Sequence, residues 1–232
     1  MITSMKFRTA AGAAVATLMM AGCSAPDAAQ DADATPPAVA TADAPAVEQV
    51  ITPSSVAHIR GADDAPVTVV ELSDFGCPYC AVFARETYPT LEREYIETGK
   101  VRWLYVPFVM GMFPNGDRAA IAAECATEQG EDAFWRMHDA LYGGQAEWKK
   151  SRDVAALFAG YAAQLELDDA RFTSCYADDR SAARVRAATA FARQAGVRAT
   201  PTFFVNGIRV EGALPLEQFR MVLDETARRA AR

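Results

Sequence analysis

The sequence predicts an α/β domain in which a helical block separates two groups of strands. An apolar, β-branched run at Val67–Leu72 predicts a buried strand, and it leads directly into Cys77-Pro78-Tyr79-Cys80 and a helical pattern. Residues from about 115 to 195 carry apolar side chains at helical spacing. Near the C-terminus, Asn206-Gly207 stands between two short apolar runs, which predicts a β-hairpin before a closing helix.

Residues 1–22 have the pattern of an export signal. Lys6 and Arg8 precede an apolar run from Ala10 to Met20, which is shorter than the roughly 20 residues needed to span a bilayer. Met20-Ala21-Gly22-Cys23 resembles the lipobox of bacterial lipoproteins, in which the cysteine is lipidated and becomes the new N-terminus. An ordinary signal cleaved nearby is the alternative. We predict a signal peptide over 1–22 and lipidation at Cys23.

Residues 23–52 consist mostly of Ala, Asp, Pro, Thr and Val and contain no aromatic side chain. Such a segment cannot bury enough apolar surface to offset its ordering entropy, so we predict a flexible tether. Residues 53–232 are numerous enough to form one domain with a sizeable core.

The charge balance excludes a nucleic-acid partner. The chain has 23 Lys and Arg against 30 Asp and Glu, and without residues 1–22 it has 21 against 30, a net charge near −9. A chain this acidic has no electrostatic footprint for nucleic acid. It also has no charge attraction to anionic lipid, so membrane attachment would depend on the lipid at Cys23.

The Cys-x-x-Cys pair falls on the first turn of the helix after Val67–Leu72. Pro78 suits that turn, because its missing N–H would have no helical partner there. The partial positive charge of a helix N-terminus favours a thiolate, so we predict that Cys77 is the nucleophile and has a lowered pKa. Cys80, three residues further on the same face, can resolve a mixed disulfide. Half of a zinc site or two inert thiols are the alternatives.

Glu71 is a carboxylate within the predicted buried strand. Burial would raise its pKa and allow it to exchange a proton with the interior thiol of Cys80. A position on a strand edge facing water is the alternative. We predict the buried, functional position.

Two features follow the active-site helix. Pro89 lacks an N–H and predicts an interruption or kink. Val101–Val106 predicts a second strand, after which apolar side chains lie in a loop punctuated by Gly and Pro. These side chains could form an adaptable surface for unfolded polypeptide, but taken singly each is predicted to pack in the core. They are Phe108, Val109, Met110, Met112 and Phe113.

Cys125 and Cys175 both fall in the helical block. In an exported domain, two cysteines in separate segments suggest a second disulfide, although four cysteines allow three pairings and two buried free thiols are the alternative. His138 has no second histidine nearby and is a poor candidate for a metal ligand, so we predict a packed helix histidine. Trp135 and Trp148 are predicted to pack in the core.

Several motifs resemble those of the DsbA-like thiol–disulfide oxidoreductases of the bacterial envelope, over about Ile59 to the C-terminus. The motifs are Gly61…Ala65-Pro66-Val67-Thr68, Ser73-Asp74-Phe75-Gly76-Cys77-Pro78-Tyr79-Cys80, Ala123-Glu124-Cys125-Ala126, Phe134-Trp135…His138-Asp139 and Gly196-Val197…Thr200-Pro201-Thr202-Phe203-Phe204. The resemblance implies a thioredoxin fold, a central mixed sheet flanked by helices, with an inserted helical subdomain.

The resemblance also implies roles for individual residues. Pro201 would be cis and face the Cys77–Cys80 disulfide, and the Thr200 backbone would pair with an extended substrate strand. The family places a buried acid at the position of Glu71. Cysteines matching Cys125 and Cys175 occur together in many relatives.

Two features distinguish this chain within the resemblance. The dipeptide inside the pair is Pro78-Tyr79, whereas DsbA has Pro-His, and Tyr79 brings no positive charge to the thiolate. The DsbC and DsbG isomerases have a similar active site but carry an N-terminal dimerisation domain, where this chain has residues 23–52. An isomerase is therefore disfavoured.

We predict an exported, periplasm-facing thiol–disulfide oxidoreductase that is lipid-anchored to a membrane of the cell envelope. The expected partners are unfolded or partly folded exported proteins with cysteines and a membrane redox protein. No metal or other cofactor is expected. Oxidation, that is disulfide formation, is the preferred direction. The alternatives are a reductase or isomerase of protein disulfides, a metal-binding or metal-delivery protein, and a tethered chaperone whose cysteines are incidental.

Overall fold

The computed structural model describes residues 52–232, except for the side chains of residues 179 and 180. The predicted signal peptide 1–22, the lipidation site Cys23 and nearly all of the tether 23–52 lie outside the described residues. Within the part of the chain that is described, no helix is both long and apolar enough to cross a membrane.

Five strands form one mixed sheet. In chain order they are β1 (His58–Arg60), β2 (Val67–Ser73), β3 (Val101–Pro107), β4 (Thr202–Val205) and β5 (Ile208–Glu211). In space the order is β1-β3-β2-β4-β5, with β2 and β3 parallel and the other neighbours antiparallel. Because β2 is central, the loop that follows it opens at the middle of the sheet edge. The predicted mixed sheet flanked by helices is confirmed.

A continuous helical segment, α2, begins within the Cys-x-x-Cys motif and covers residues 78–96. Its α and π turns alternate: Pro78–Val82 (α), Phe83–Thr87 (π), Tyr88–Leu91 (α) and Glu92–Ile96 (π). Pro89 has no N–H to donate to the residue four positions earlier, and the turn before it is hydrogen-bonded in the π pattern, with the Tyr88 N–H donating to the Phe83 carbonyl. The predicted interruption at Pro89 is therefore a change of helix type, and the helix continues through it.

The remaining helices surround the sheet. They are α1 (Pro53–Val56), α3 (Gly116–Thr127), α4 (Glu131–Gly143), α5 (Gln145–Trp148), α6 (Val154–Gln164), α7 (Asp169–Ala177), α8 (Asp179–Gln194) and α9 (Leu216–Ala230). Within the helical block, the apolar spacing predicts helices around 119–126, 134–142, 154–165 and 182–195, which correspond to α3, α4, α6 and α8, but it does not predict α5 and α7. Helix α5 is a single turn, and in α7 only Phe172 and Cys175 are buried, which leaves a weak apolar period.

The core occupies both faces of the sheet. On one face, the Phe83 ring of α2 lies 4.7 Å from the Phe203 ring and 5.4 Å from the Phe219 ring. On the other face, α1 and α8 pack near a smaller cluster that includes Leu72 and Val106. Successive side chains of β2 point to opposite faces, so Glu71 shares the larger core with the odd-numbered valines of its strand. Trp135, Trp148 and His138 are buried, as predicted.

The loop after β3 divides between core and surface. Phe108 is buried, and three of the other apolar side chains are half-buried against the core. Met112, in contrast, is 67% exposed. The prediction of core packing is therefore wrong for Met112, because the glycine-punctuated loop carries it away from the sheet.

The predicted hairpin joins β4 and β5. Asn206 and Gly207 have φ angles of 45° and 84°, the left-handed conformations that a two-residue type I′ turn requires. The Asn206 carboxamide also accepts a hydrogen bond from the Thr68 N–H at 2.7 Å and donates to the Pro66 carbonyl at 3.1 Å. These bonds tie the hairpin to the beginning of β2.

A disulfide joins Cys125 in α3 to Cys175 in α7, with the two Cα atoms 5.5 Å apart. Both residues are buried, and the Ser181 hydroxyl contacts both sulfurs, at 3.4 and 2.8 Å. The bridge closes a loop across a sequence separation of 50 residues. It therefore cross-links the helical insertion internally.

Removing this disulfide should lower the free energy of unfolding by about 2–4 kcal/mol, because the cross-link restricts the unfolded chain. The measurement is urea unfolding of Cys125→Ala/Cys175→Ala against its parent, both in a background without the two Cys-x-x-Cys cysteines. Reductant should destabilise the parent and leave the variant unaffected. Equal stability of the two proteins under oxidising conditions would contradict the prediction.

Candidate active site

The Cys-x-x-Cys motif lies at the junction of β2 and α2. Cys77 is the N-cap residue of α2, and Pro78 is the first helical residue. Both cysteines are unbonded and buried, whereas Tyr79 between them is 67% exposed. The junction therefore keeps two sulfurs at the edge of the core and directs one aromatic ring to solvent.

The Cys77 thiol is acidic. Its sulfur lies 3.4 Å from the carbonyl oxygen of Thr200. Hydrogen bonds from the Cys80 thiol, and to a lesser degree from the Thr200 side chain and two N–H groups of the first helical turn, lower the pKa of Cys77 to about 6 against the effect of burial. Cys77 is therefore largely a thiolate at neutral pH.

Cys80 has the opposite tendency. Its burial raises the pKa well above the ordinary range, and the neighbouring Cys77 sulfur raises it further. Hydrogen bonding with the Ser73 hydroxyl and from the Asp74 N–H offsets part of this increase. One sulfur is thus ready to act as a nucleophile while the other holds its proton, which is the arrangement that thiol–disulfide exchange requires.

Glu71 lies in the same buried region. The Ser73 hydroxyl donates to one carboxyl oxygen at 2.5 Å, and the Trp103 indole N–H donates to the other at 3.0 Å. Burial raises the pKa of Glu71 to about 7 despite these two bonds. Ser73 therefore interacts with both the Glu71 carboxyl and the Cys80 thiol, and the carboxyl can gain or lose a proton near neutral pH.

The Thr200-Pro201 peptide bond is cis, and Pro201 is buried. The Thr200 carbonyl faces Cys77, and the Pro201 carbonyl accepts a hydrogen bond from the Gly212 N–H at 2.9 Å. Within the described residues, no backbone hydrogen bond engages the Thr200 N–H. The structure thus brings the Thr200 backbone beside the nucleophilic sulfur.

Sequence analysis missed two side chains that hold the active-site loop from the helical insertion. The Gln145 amide donates to the carbonyls of Phe75 and Cys77, at 2.6 and 2.8 Å. The Lys149 ammonium donates to the carbonyl between them, that of Gly76, at 2.7 Å. Three successive carbonyls are thereby satisfied, and no local pattern around Gln145 or Lys149 indicates this role.

A third missed residue is Asp74, which is 2% exposed. Its carboxylate accepts hydrogen bonds from the Gly76 and Met110 N–H groups, both at 2.8 Å. A signal for it exists in the sequence, because an acid stands three residues before Cys77, shortly after a strand predicted to be buried.

Both histidines are buried within the core. The His138 ring lies 4.9 Å from the Tyr105 ring, and burial lowers the pKa of His138. His58 contacts the Glu124 and Glu131 carboxylates, which raise its pKa against the opposing effect of burial. Among residues 52–232, no group of three or more His, Cys, Asp or Glu side chains is arranged to hold a metal ion.

The reduced protein should form one thiolate with a midpoint near pH 6, followed by its absorbance at 240 nm, because only Cys77 has a lowered pKa. Cys77→Ser should abolish this transition. Cys80→Ala should move it to higher pH, since the principal hydrogen-bond donor to Cys77 is lost, while Cys80→Ser should largely retain it. A single wild-type transition at the ordinary thiol pKa of about 8.5 would contradict the assignment.

Comparison with known proteins agrees with the fold. A family model described as thioredoxin matches residues 54–225. The structure is similar to oxidised BdbD from Bacillus subtilis, with a TM-score of 0.68 and 25% sequence identity, covering 75% of this chain and 94% of that one. The similarity in fold therefore extends over nearly the whole of the BdbD chain.

Two relatives differ greatly in how much of their length is matched. The chain is 30% identical over 149 residues to the probable disulfide bond formation protein D of Bacillus anthracis, covering 63% of this chain and 68% of that protein. It is 41% identical over 162 residues to the Na(+)/H(+) antiporter NhaA 3 of Salinispora tropica, covering 69% of this chain but only 23% of the antiporter. The latter match concerns a fraction of a longer protein. This chain belongs to the thioredoxin family, in the DsbA-like branch that includes the disulfide bond formation proteins D.

Proposed function

We propose that this chain is a protein thiol–disulfide oxidoreductase that forms disulfides in exported proteins through the redox-active pair Cys77 and Cys80. The unequal acidity of these two sulfurs carries the proposal. Cys77 is a stabilised thiolate facing the Thr200 backbone, and Cys80 is a protonated thiol in the core. The names of the protein D relatives support the same chemistry.

The oxidation proceeds by two exchanges. A substrate thiolate attacks the Cys77 sulfur of the Cys77–Cys80 disulfide, and Cys80 leaves as a thiolate that takes up a proton. The second substrate thiolate then attacks the substrate sulfur of the mixed disulfide, and Cys77 leaves as a thiolate. Two electrons pass from the substrate to the cysteine pair. A membrane redox partner removes them again and restores the disulfide.

Glu71 is the acid–base group for Cys80 in this scheme. The carboxyl has a pKa of about 7 and shares the Ser73 hydroxyl with the Cys80 thiol. Near neutral pH, the protonated fraction of this carboxyl can donate a proton to the departing Cys80 thiolate, and the ionised fraction can accept it back. Ser73 provides the connection between them.

The low pKa of Cys77 supports oxidation as the direction. A thiolate that the protein stabilises belongs to the reduced form, so its stabilisation makes the disulfide a better oxidant. Tyr79 contributes no charge to this effect. A reductase would use the reverse sequence, in which the Cys77 thiolate attacks a substrate disulfide and Cys80 resolves the product.

The surface around Cys77 suits an unfolded polypeptide. The Thr200 N–H and its neighbouring backbone can hydrogen-bond an extended segment. Tyr79, Val82 and Met112 are exposed apolar side chains at the beginning of α2 and in the loop after β3. Backbone pairing with apolar contacts recognises an extended chain with little dependence on its sequence.

The N-terminal part of the proposal is export and anchoring. Residues 1–22 would be removed, Cys23 would carry the lipid, and residues 23–52 would tether the 53–232 domain, with its helical insertion at about 115–195, in the periplasm-facing envelope. The lipobox-like Met20-Ala21-Gly22-Cys23 supports this. Membrane fractionation of Cys23→Ser cells tests it, since anchoring requires the variant to become soluble.

The reduction potential of the Cys77/Cys80 pair decides the direction. The potential is measured by equilibrating residues 53–232 in glutathione buffers, and a value towards about −120 mV would assign a strong oxidant. A value near about −270 mV would instead assign a reductase. Failure to form the disulfide would remove the redox function altogether, and full cellular activity of Cys77→Ala would favour a chaperone.

Glu71→Gln should slow the step in which Cys80 gains or loses a proton, by about 10²- to 10⁴-fold if Glu71 acts as a general acid–base group. The measurement is the lifetime of the mixed disulfide with a cysteine-containing peptide across pH 5–9. Gln keeps the shape, and its carbonyl oxygen can accept from the Trp103 N–H while its NH2 group donates to the Ser73 hydroxyl, so stability should change little. An unchanged rate and pH profile would exclude the role.

A further inference from the structure

The proposed mechanism does not use Asp74, although its carboxylate is fully engaged in the site. Oδ1 accepts the Gly76 N–H and Oδ2 accepts the Met110 N–H, both at 2.8 Å. The first bond fixes the loop that carries Cys77, and the second fixes the loop after β3. One buried side chain therefore joins the two loops that border the cysteine pair.

Two glycines keep space for this carboxylate. A Cβ atom on Gly116 would lie 2.9 Å from Oδ1 of Asp74, closer than real contacts allow. A Cβ atom on Gly76 would lie 2.3 Å from the Cβ of Phe113 and 3.3 Å from the same Oδ1. Both positions thus exclude side chains that would displace the acid.

The second loop leads back to the nucleophile. The Thr200 hydroxyl lies 3.8 Å from the Met110 sulfur, and the Thr200 carbonyl lies 3.4 Å from the Cys77 sulfur. Because Asp74 holds the Met110 backbone, it acts on Cys77 from both sides. It fixes the loop that carries Cys77, and it fixes Met110, which contacts Thr200.

The charge of Asp74 also acts on Cys77. The titratable groups that face it are the Cys77 thiol, the Lys149 ammonium and the Tyr105 phenol, whose pKa is raised far enough that it stays neutral. Burial raises the pKa of Asp74 to about 6, and the charge of Cys77 adds to the increase, while Lys149 opposes it. Repulsion between two charges is mutual, so the Asp74 carboxylate disfavours the Cys77 thiolate.

We propose that Asp74 is a positioning residue that limits the oxidising strength of the cysteine pair: it fixes both loops around Cys77 and holds a negative charge against the thiolate, with Lys149 as its counter-charge. The inference rests on the proposed function. The Cys77–Cys80 disulfide should therefore be a weaker oxidant with Asp74 than without it. The pH dependence of its reduction should include the titration of Asp74.

The test compares Asp74→Asn with Asp64→Asn in residues 53–232. Asn at position 74 retains the shape and one acceptor but removes the charge, whereas Asp64 is an exposed acid before β2, at the opposite end of that strand. In Asp74→Asn, the thiolate midpoint of Cys77 should fall, and the equilibrium with glutathione should shift about three- to tenfold towards the dithiol. Asp64→Asn should change neither.

A second variant removes the counter-charge. Lys149→Gln should raise the pH midpoint at which the Cys77 thiolate forms. This increase should be smaller when Asp74→Asn is also present, because the two residues act on one another. If Asp74→Asn does not fold, the Lys149→Gln measurement decides, and an unchanged midpoint in it overturns the proposal.

Different results would overturn the role of Asp74 and the proposed function. A purely structural Asp74 would give a less stable Asp74→Asn protein with an unchanged thiolate midpoint and unchanged glutathione equilibrium, which would overturn this inference alone. A wild-type protein that forms no Cys77–Cys80 disulfide would overturn the proposed function. The thiolate titration would then still decide whether Asp74 acts on Cys77.

Discussion

The structure depends on one constraint: two sulfurs a single helical turn apart must differ greatly in acidity. The helix N-terminus alone cannot provide this, because its partial charge would favour both thiolates. Both sulfurs lie in the larger core, where burial raises the pKa of each thiol, and the difference comes from the balance between burial and hydrogen bonding. At Cys77 the hydrogen bond from the Cys80 thiol outweighs burial and lowers the pKa, whereas at Cys80 burial dominates and raises it. Each cysteine therefore helps to fix the protonation state of its partner.

The fold meets this constraint by placing the pair at the end of the central strand. The parallel neighbour β3 supplies Trp103 to the Glu71 carboxyl, and the residues before the antiparallel neighbour β4 supply Thr200 to Cys77. The helical insertion then supplies Gln145 and Lys149 to the backbone carbonyls around the cysteine. Elements distant in sequence thus hold a loop that has few hydrogen bonds of its own.

The parts of this site that could be predicted are those with local signals. Val67–Leu72, Asn206-Gly207 and the Cys-x-x-Cys helix each carry their information within a few residues. Gln145 and Lys149 act on partners 68 to 73 residues away, so no window around them indicates the contact. Helix α7 was missed because its burial depends on the neighbouring helices. Pro201 required the family resemblance, since no local pattern identifies a cis bond.

Whether the chain oxidises or reduces its substrates depends on the balance of charges around the Cys77 sulfur. The helix N-terminus and the Cys80 thiol favour the Cys77 thiolate, and Lys149 offsets the charge of Asp74. The Asp74 carboxylate opposes the thiolate from within the site. DsbA has a histidine inside its motif, while this chain has the neutral, exposed Tyr79. With no cation in the dipeptide, the buried groups on the core side of Cys77 have the larger share in setting its acidity. The redox properties of this chain should therefore respond to changes at Asp74 and Lys149, which both hydrogen-bond the backbone of Gly76, directly before Cys77.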